Sequence, residues 1–345
     1  MNTAERILVV GPSWVGDMMM AQSLFMLLKQ HQPNCRIDVL APSWSLPLLA
    51  HMPEVAAGIV SPFKHGQAAL WQRCKLGRSL RERHYAQAII LPNSLKSALV
   101  PFCAGIPRRT GFVGEMRYGL LNDARKLDRE KLPRTVMRFA ALGLPANQQL
   151  NAEVPVPRLQ TDETSVAKTL QALNIERPQS SLLVLCPGAE YGPAKQWPAQ
   201  HNAALAREYL DQGWQVWLLG SQQDDAICAE INTATDQRCL NLAGKTELGQ
   251  VIDLMSLATA IVSNDSGLMH IAAALAQPLV AIYGSSDPGF TPPLSDRVKI
   301  LSLALDCSPC FKRQCPLGHL DCLIKLEPAM ASAAIQELLG DSGNG

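Results

Sequence analysis

A chain of 345 residues, 47% apolar and 18% charged with a net charge of +1, has the composition of a folded globular protein with room for two domains. No apolar run approaches the ~18 residues that a bilayer span needs. The polar residues 1–6 lack the apolar stretch of a signal peptide, so the cytoplasm is the expected compartment. The small net charge hides an asymmetry. Residues 1–150 carry 19 Lys+Arg against 9 Asp+Glu, a balance of +10; residues 151–345 carry 12 against 21, a balance of −9. A basic half suits an anionic ligand or an anionic membrane surface. Nucleic acid fits less well, because the positive charges are dispersed and few aromatics lie among them.

In chain order, short apolar runs at 7–10, 37–40, 58–60 and 88–91 read as strands, separated by helical patterns near 17–30, 67–83 and 94–103. Residues 144–160 are rich in Pro, Asn and Gln and read as a linker. Strand-like runs resume at 182–185, 216–219, 239–242, 260–262 and 279–283. The last helical pattern, 328–339, is expected to pack back across the domain junction. Alternation of this kind predicts parallel sheets covered by helices. The expected domains are 1–155 and 156–326, both doubly wound and facing a central cleft, with a terminal helix and tail at 327–345. Ligands of such sheets bind outside the carboxyl ends of the strands.

Five strand-to-helix loops carry candidate chemistry. Gly11 and Gly16 flank the first, and Asp17 follows at the start of a helix. Asp17 is either a helix-start carboxylate or a general base. The G-x(4)-G-D spacing matches neither the dinucleotide fingerprint nor the P-loop. In the loop at 186–198, Lys195 stands alone among Gly, Pro and small residues. It is either a solvated lysine or the neutraliser of a phosphate leaving group. Asp224, after the next strand, is a helix-start carboxylate or a ribose contact, and the loop around Thr246 could border a purine. The run Ser263-Asn264-Asp265-Ser266-Gly267-Leu268-Met269-His270 follows a strand and opens a helix. Its backbone N–H groups would meet a phosphate, with His270 one turn along the same face.

As a set, GPSWVGDMMMAQSL at 11–24, LPNSLKSALVPFCAGIPRRTGFVGEMRYGLLND at 91–123, CPGAEYGPAKQWP at 186–198 and SNDSGLMHIAAAL at 263–275 resemble the bacterial lipopolysaccharide heptosyltransferases, glycosyltransferase family 9. The resemblance covers nearly the whole chain in order. It implies a GT-B fold of two Rossmann-like domains, ADP-L-glycero-β-D-manno-heptose as donor, and the first heptose of the inner core on a Kdo-lipid A anchor as acceptor. It implies no metal and no cofactor, and peripheral work at the cytoplasmic face of the inner membrane. Carried over residue by residue, Asp17 would deprotonate the acceptor hydroxyl and Lys195 would hold the departing diphosphate. Ser266 and Gly267 would bind phosphate, Asp265 would contact the heptose or position that loop, His270 would support the diphosphate and Asp224 would reach the ribose. The chain has Ala189 and Glu190 where the pattern of a related heptosyltransferase has small hydroxyl residues. Backbone N–H groups of Gly188, Ala189 or Glu190 would substitute. Lys96, Arg108, Arg109 and Arg117, all in the basic half, are the candidates for acceptor contact.

Ten cysteines remain to be placed. Six are scattered, most in apolar runs, and are expected to be reduced fillers. Four crowd together as Cys307-x2-Cys310-x4-Cys315-x6-Cys322, with His319 between the last two. This segment is a structural zinc site, a reduced loop packed near the cleft, or a redox-sensitive cluster. Two other classes of function compete with glycosyl transfer. A non-catalytic nucleotide-sugar-binding protein would not need Asp17. A two-domain sugar-nucleotide epimerase would need acid and base groups near the donor sugar.

Overall fold

The protein, in a computed structural model, is described over residues 5–63, 66–150 and 153–340. Residues 151–152 of the expected linker and 341–345 of the expected tail lie outside them. The chain divides into two units, Met1–Pro157 and Arg158–Gly345. Among the described residues no helix is long and apolar enough to cross a membrane.

The first unit holds β1 (Arg6–Val10), β2 (Arg36–Ala41), β3 (Val55–Val60), β4 (Gln87–Ile90), β5 (Arg108–Phe112) and β6 (Asp123–Arg125). They form a parallel sheet in the order β3-β2-β1-β4-β5-β6. The runs Ile7–Val10 and Ala88–Ile90 are apolar and buried because helices cover both faces of a parallel sheet. The chain winds outward from β1 to β3, then resumes on the other side at β4. The strand order therefore reverses between β1 and β4, where a doubly wound sheet opens a crevice at its carboxyl edge. The helix Val15–His31 starts there. It is buried along most of its length, from Met18 to Phe25, which is why its apolar residues are not confined to one stripe.

The second unit repeats the plan with β7 (Leu182–Cys186), β8 (Gln215–Leu218), β9 (Leu240–Asn241), β10 (Ala260–Asn264), β11 (Leu279–Ile282) and β12 (Val298–Leu301). The order is β12-β11-β10-β7-β8-β9, again parallel, and it reverses between β7 and β10. The terminal helix Pro328–Gly340, expected to reach back across the junction, is seated on β11, β12 and the helix Ala199–Asp211 of its own unit.

Three features depart from the sequence reading. β5, β6 and β12 were not expected, because RRTGF, DAR and VKIL lack the continuous apolar run of a central strand. The helical pattern at 94–103 is split into a 3-10 turn, Leu95–Ala98, and a short helix, Leu99–Cys103. Cys74 and Cys103, expected as reduced fillers, are joined as a disulfide that links the helix Leu70–Ser79 to Leu99–Cys103. Nothing in their spacing of 29 residues announces the pairing.

At the amino edge of the first sheet the fold is pinned by one carboxylate. Asp38 on β2 is fully buried. Its Oδ2 accepts from Arg6 at 3.1 Å, Arg83 at 3.2 Å and the Tyr85 hydroxyl at 2.7 Å. Arg36 Nε stands 3.6 Å from Oδ1. Burying this charge costs several kcal/mol, and only the surrounding cations and hydroxyl offset it. Removing the carboxylate leaves those donors converging on nothing. Asp38→Ala should lower unfolding stability by about 3 kcal/mol in a urea titration. A loss under about 0.5 kcal/mol would show that the cluster is only a surface network.

Candidate functional site

The second unit brings four of the predicted loops to one edge. The carboxyl ends of β10, β7, β8 and β9 are neighbours in that order. They deliver residues 265–270, 187–195, 220–224 and 242–247 respectively.

The joint between the first two loops is Asn264, the last residue of β10 and 2% exposed. Its side-chain oxygen accepts from the Trp197 N–H at 3.1 Å, and its amide nitrogen donates to the Pro187 carbonyl at 2.7 Å. Both ends of the 187–197 loop are thus held by one side chain. Trp197 is 1% exposed and donates its indole N–H to the Leu326 carbonyl at 2.8 Å. Gly192 has φ of 150°, and a Cβ there would lie 2.5 Å from the Arg313 carbonyl, so only glycine fits.

The loop so held presents Lys195 at the end of a 3-10 turn, Pro193–Lys195. Its Nζ lies 2.5 Å from Asp265 Oδ2 and 4.9 Å from the Tyr191 ring. Asp265 is nearly buried and also accepts from the Ser286 hydroxyl. Sequence reasoning placed both residues at the site but did not foresee that they pair. The next residue, Ser266, caps the helix Gly267–Ala274, and its side chain makes no bond to that helix's first-turn amides. Its hydroxyl stands 3.3 Å from that of Ser263. The first-turn N–H groups have no partner within the helix and face outward at its start, the arrangement that binds anions.

His270 lies one turn along the same helix and is 7% exposed. Burial pushes its imidazole down to about 4; the Lys195 ammonium adds to this and the Asp265 carboxylate opposes it. At neutral pH it is an uncharged hydrogen-bonding group, so any support it gives an anion is not a full positive charge.

On the β8 side, Asp224 closes a 3-10 turn, Gln222–Asp224, and its Oδ2 accepts from the Ser221 N–H and hydroxyl at 2.8 Å each. This is the helix-start role, with one carboxylate oxygen taken up by it. The carboxyl group also lies against Gly188: a Cβ at that position would stand 2.2 Å from Asp224 Cγ. Gly188 and Asp224 therefore share a wall of the site. Ala189 and Glu190 follow in the same loop, Glu190 exposed. Thr246 Oγ1 is buried and has no hydrogen-bond partner, an orphan hydroxyl that costs stability unless a ligand answers it.

In the first unit, Asp17 sits in the first turn of Val15–His31, two residues past its first position, and Trp14 is the cap residue. It is thus not the capping aspartate, although the helix dipole favours a carboxylate there. It stands after β1, beside the loop after β4 that carries Lys96 in the turn Leu95–Ala98. Asp17 and Lys96 therefore share the carboxyl edge at the switch point.

The remaining acceptor candidates are placed differently. Arg108 and Arg109 open β5, opposite Gln87 and Ala88 at the start of β4. They lie at the amino end of the strand, ~10 Å from its carboxyl end at the rise of a β-strand. Arg108 pairs with Asp123 at 3.3 Å. Arg109 donates to the Leu120 and Ile106 carbonyls. The sequence reading did not recognise β5, so it left unassigned the end of the strand to which these residues belong.

Arg117 is 1% exposed. Its guanidinium donates to the Phe112 and Pro92 carbonyls, Asn93 Oδ1 and Ser97 Oγ. Burial lowers its pKa to about 10, still charged at neutral pH. It holds the Lys96 loop from beneath and is not a surface for the acceptor.

The cysteine segment backs the lysine loop. Cys307, Cys310, Cys315, Cys322 and His319 line one small cavity with Ala194 and Ser285. The four thiols are free. Among the described residues no three His, Cys, Asp or Glu side chains are arranged to hold a metal ion. The segment is tied to the loop by backbone bonds, Ala194 N–H to the Arg313 carbonyl at 3.1 Å and Phe311 N–H to the Ser285 carbonyl at 2.7 Å. The Tyr191 hydroxyl adds a bond to the Phe311 carbonyl. The segment thus packs against the loop that carries Lys195.

The family model for glycosyltransferase family 9 (heptosyltransferase) matches residues 73–321, well over half of the chain. The chain belongs to that family. This glycosyltransferase is 48% identical to lipopolysaccharide heptosyltransferase 2 of Escherichia coli K12, over 97% of this chain and 98% of that protein. It is 47% identical to lipooligosaccharide heptosyltransferase 2 of Haemophilus influenzae, over 96% and 99% respectively. The solved structure of E. coli ADP-heptose LPS heptosyltransferase II superposes with a TM-score of 0.89 at 45% identity, covering 98% of this chain and 99% of that one. The fold of this glycosyltransferase is therefore GT-B, with two Rossmann-like units.

The lowered pKa of His270 makes a testable statement about stability. An imidazole whose folded pKa lies below its ordinary 6.5 contributes stability that is present above pH 6.5 and lost as pH falls through about 4. The total is about 3 kcal/mol. His270→Gln should flatten the fall of the melting temperature between those pH values. An unchanged slope in the variant would mean that the imidazole protonates freely in the folded state.

Proposed function

We propose that this glycosyltransferase transfers the second heptose, with inversion, from ADP-L-glycero-β-D-manno-heptose to the first heptose of the lipopolysaccharide inner core. The acceptor is carried on Kdo-lipid A, and the enzyme works at the cytoplasmic face of the inner membrane as a peripheral protein. The observation that carries this reading is the edge of the second sheet. There a clamped loop sets Lys195 beside the open helix start at Ser266–Gly267. A cation and free amides held together suit a diphosphate such as that of ADP-heptose, for which the similar E. coli heptosyltransferase II is named.

Asp17 takes the proton of the acceptor hydroxyl as its oxygen attacks the anomeric carbon. The bond from that carbon to the β-phosphate oxygen breaks, and the electron pair leaves with ADP. Lys195 and the amides after Ser266 meet the charge that grows on the β-phosphate, where a fixed cation stabilises the transition state more than the bound donor. Asp265 and His270 position the Lys195 ammonium and the helix start. Gly188, Ala189 and Glu190 give the nucleotide a close backbone wall. Asp224 offers its second oxygen to the ribose, and Thr246 its orphan hydroxyl to the base or ribose. Lys96 meets an anionic group of the acceptor, and Arg117 fixes the Lys96 loop.

The direct test is release of ADP from ADP-heptose. It should run at least about 100-fold faster with heptosyl-Kdo-lipid A than without it. Tight donor binding with no acceptor-dependent ADP would replace this reading with a non-catalytic nucleotide-sugar-binding protein.

A second test isolates the base. A positioned carboxylate contributes roughly 10²–10⁴-fold to such a step. Asp17→Asn should lower kcat by about that factor while leaving donor affinity and melting temperature near wild type. Near-normal turnover in the folded variant would remove Asp17 from the role.

A further inference from the structure

Between residues 55 and 114 the sequence has nine Lys+Arg (Lys64, Arg73, Lys75, Arg78, Arg81, Arg83, Lys96, Arg108, Arg109) and one acidic residue, Glu82. The helix Leu70–Ser79 lies in this stretch and carries no acid. It packs against the short helix Leu99–Cys103 so closely that a Cβ on Gly77 would stand 2.5 Å from the Val100 carbonyl. The Cys74–Cys103 link and the bond from Arg81 Nε to the Cys103 carbonyl make the two helices one rigid piece.

The outer surface of this piece is unlike a solvated helix. Leu70 is 54% exposed, Trp71 70% and Phe102 46%. A single exposed apolar side chain is ordinary, but the adjacent pair Leu70-Trp71 at the start of a basic helix is not. Trp71, Lys75 and Arg78 recur at helical spacing on the same face, Lys75 and Arg78 are exposed, and the Arg78 guanidinium lies over the Trp71 ring at 5.5 Å. Beneath, the buried Arg73 stacks on Phe63 and donates to the Gln67 and Ala68 carbonyls. This fixes the chain that enters the helix, so the exposed pair Leu70-Trp71 is presented by a braced turn.

We propose that this face, built from Leu70, Trp71, Lys75, Arg78 and Arg81, docks the enzyme on an anionic lipid bilayer. Tryptophan favours the headgroup level, and lysine and arginine are drawn to anionic lipid. The placement suits the task. The helix lies in the crossover from β3 to β4 of a parallel sheet and so runs back from the carboxyl edge toward the amino edge, which puts Leu70 and Trp71 nearer the edge that carries Asp17 and Lys96. A bilayer contact there brings a membrane-anchored sugar to the edge that must receive it. The proposal rests on the lipid-anchored acceptor of the function proposed above.

The experiment uses the full chain and flotation with vesicles of phosphatidylglycerol and phosphatidylcholine, compared with phosphatidylcholine alone. Each basic residue near an anionic surface multiplies binding about five-fold. Lys75→Glu with Arg78→Glu should therefore weaken binding to the phosphatidylglycerol vesicles by at least about 30-fold, and Trp71→Ala by several-fold. Raised salt should mimic the double variant. Turnover of an acceptor embedded in those vesicles should fall in parallel, while turnover of a deacylated acceptor in solution and the melting temperature stay unchanged. Wild-type binding by the double variant, or binding indifferent to lipid charge, would overturn the proposal. So would lost turnover of the soluble acceptor, which would assign the face to the substrate site. A double variant that dissociates a dimer without affecting vesicle binding would assign it to a second copy of the chain. Vesicle binding is read without catalysis, so failure of the transferase reading would show separately, as no ADP release with either acceptor.

Discussion

The side chain of Asn264 joins the two loops on which the candidate site of the second unit is built. A buried primary amide is tolerated only when its donors and acceptor are satisfied, and leaving such a group unpaired costs about 1–3 kcal/mol. Here the partners are backbone atoms at both ends of the 187–197 loop, so the requirement for satisfaction becomes a requirement on loop shape. The switch between β7 and β10 places the two loops side by side, and the amide removes the remaining freedom. Lys195 can then reach Asp265, and the cysteine segment can close beneath Ala194. Alignment of a cation with an open helix start thus follows from hydrogen bonds remote from any ligand.

The two edges of the first sheet are used for different purposes. At the amino edge, Asp38 gathers Arg6, Arg83 and Tyr85, and Asp123 gathers Arg108 and Arg125. At the carboxyl edge stand Asp17 and the Lys96 loop, the latter held from below by Arg117. Much of the basic excess of this half is consumed internally. Arg6, Arg83, Arg108, Arg109, Arg117 and Arg125 each bond to protein atoms. The net charge of a half-chain therefore overstates what a ligand meets, and the acid-poor helix Leu70–Ser79, with Lys75 and Arg78 exposed, is one part of it directed outward.

How much was readable in the sequence follows from how each signal is encoded. Strands such as Ile7–Val10 and Leu182–Cys186 are buried on both faces and show as unbroken apolar runs, so the doubly wound plan and the five strand-to-helix loops were legible. β5 and β6, the two outermost strands on their side of the sheet, are short and polar, and without them Arg108 and Arg109 could not be assigned to an edge. Arg117 reads as surface charge because its partners are mostly carbonyls, which every residue carries and no side-chain pattern marks. The pairing of Lys195 with Asp265 spans 70 residues and the disulfide spans 29, separations over which composition and periodicity say nothing. His270 was placed by helical spacing, but its neutrality depends on burial that spacing does not report.

The Lys195–Asp265 pair has a consequence for how the site handles an anion. The ammonium is already partnered by a nearly buried carboxylate, so in the function proposed above an incoming diphosphate would meet a closed zwitterion rather than a vacant cation. Binding becomes an exchange of partners, in which phosphate oxygens take a share of the lysine that Asp265 gives up. The same carboxylate stays in place after the sugar has moved, ready to reclaim the lysine from the nucleotide left behind. On that proposal the site carries its own competing anion, a built-in eluent that would limit how long a charged product is retained.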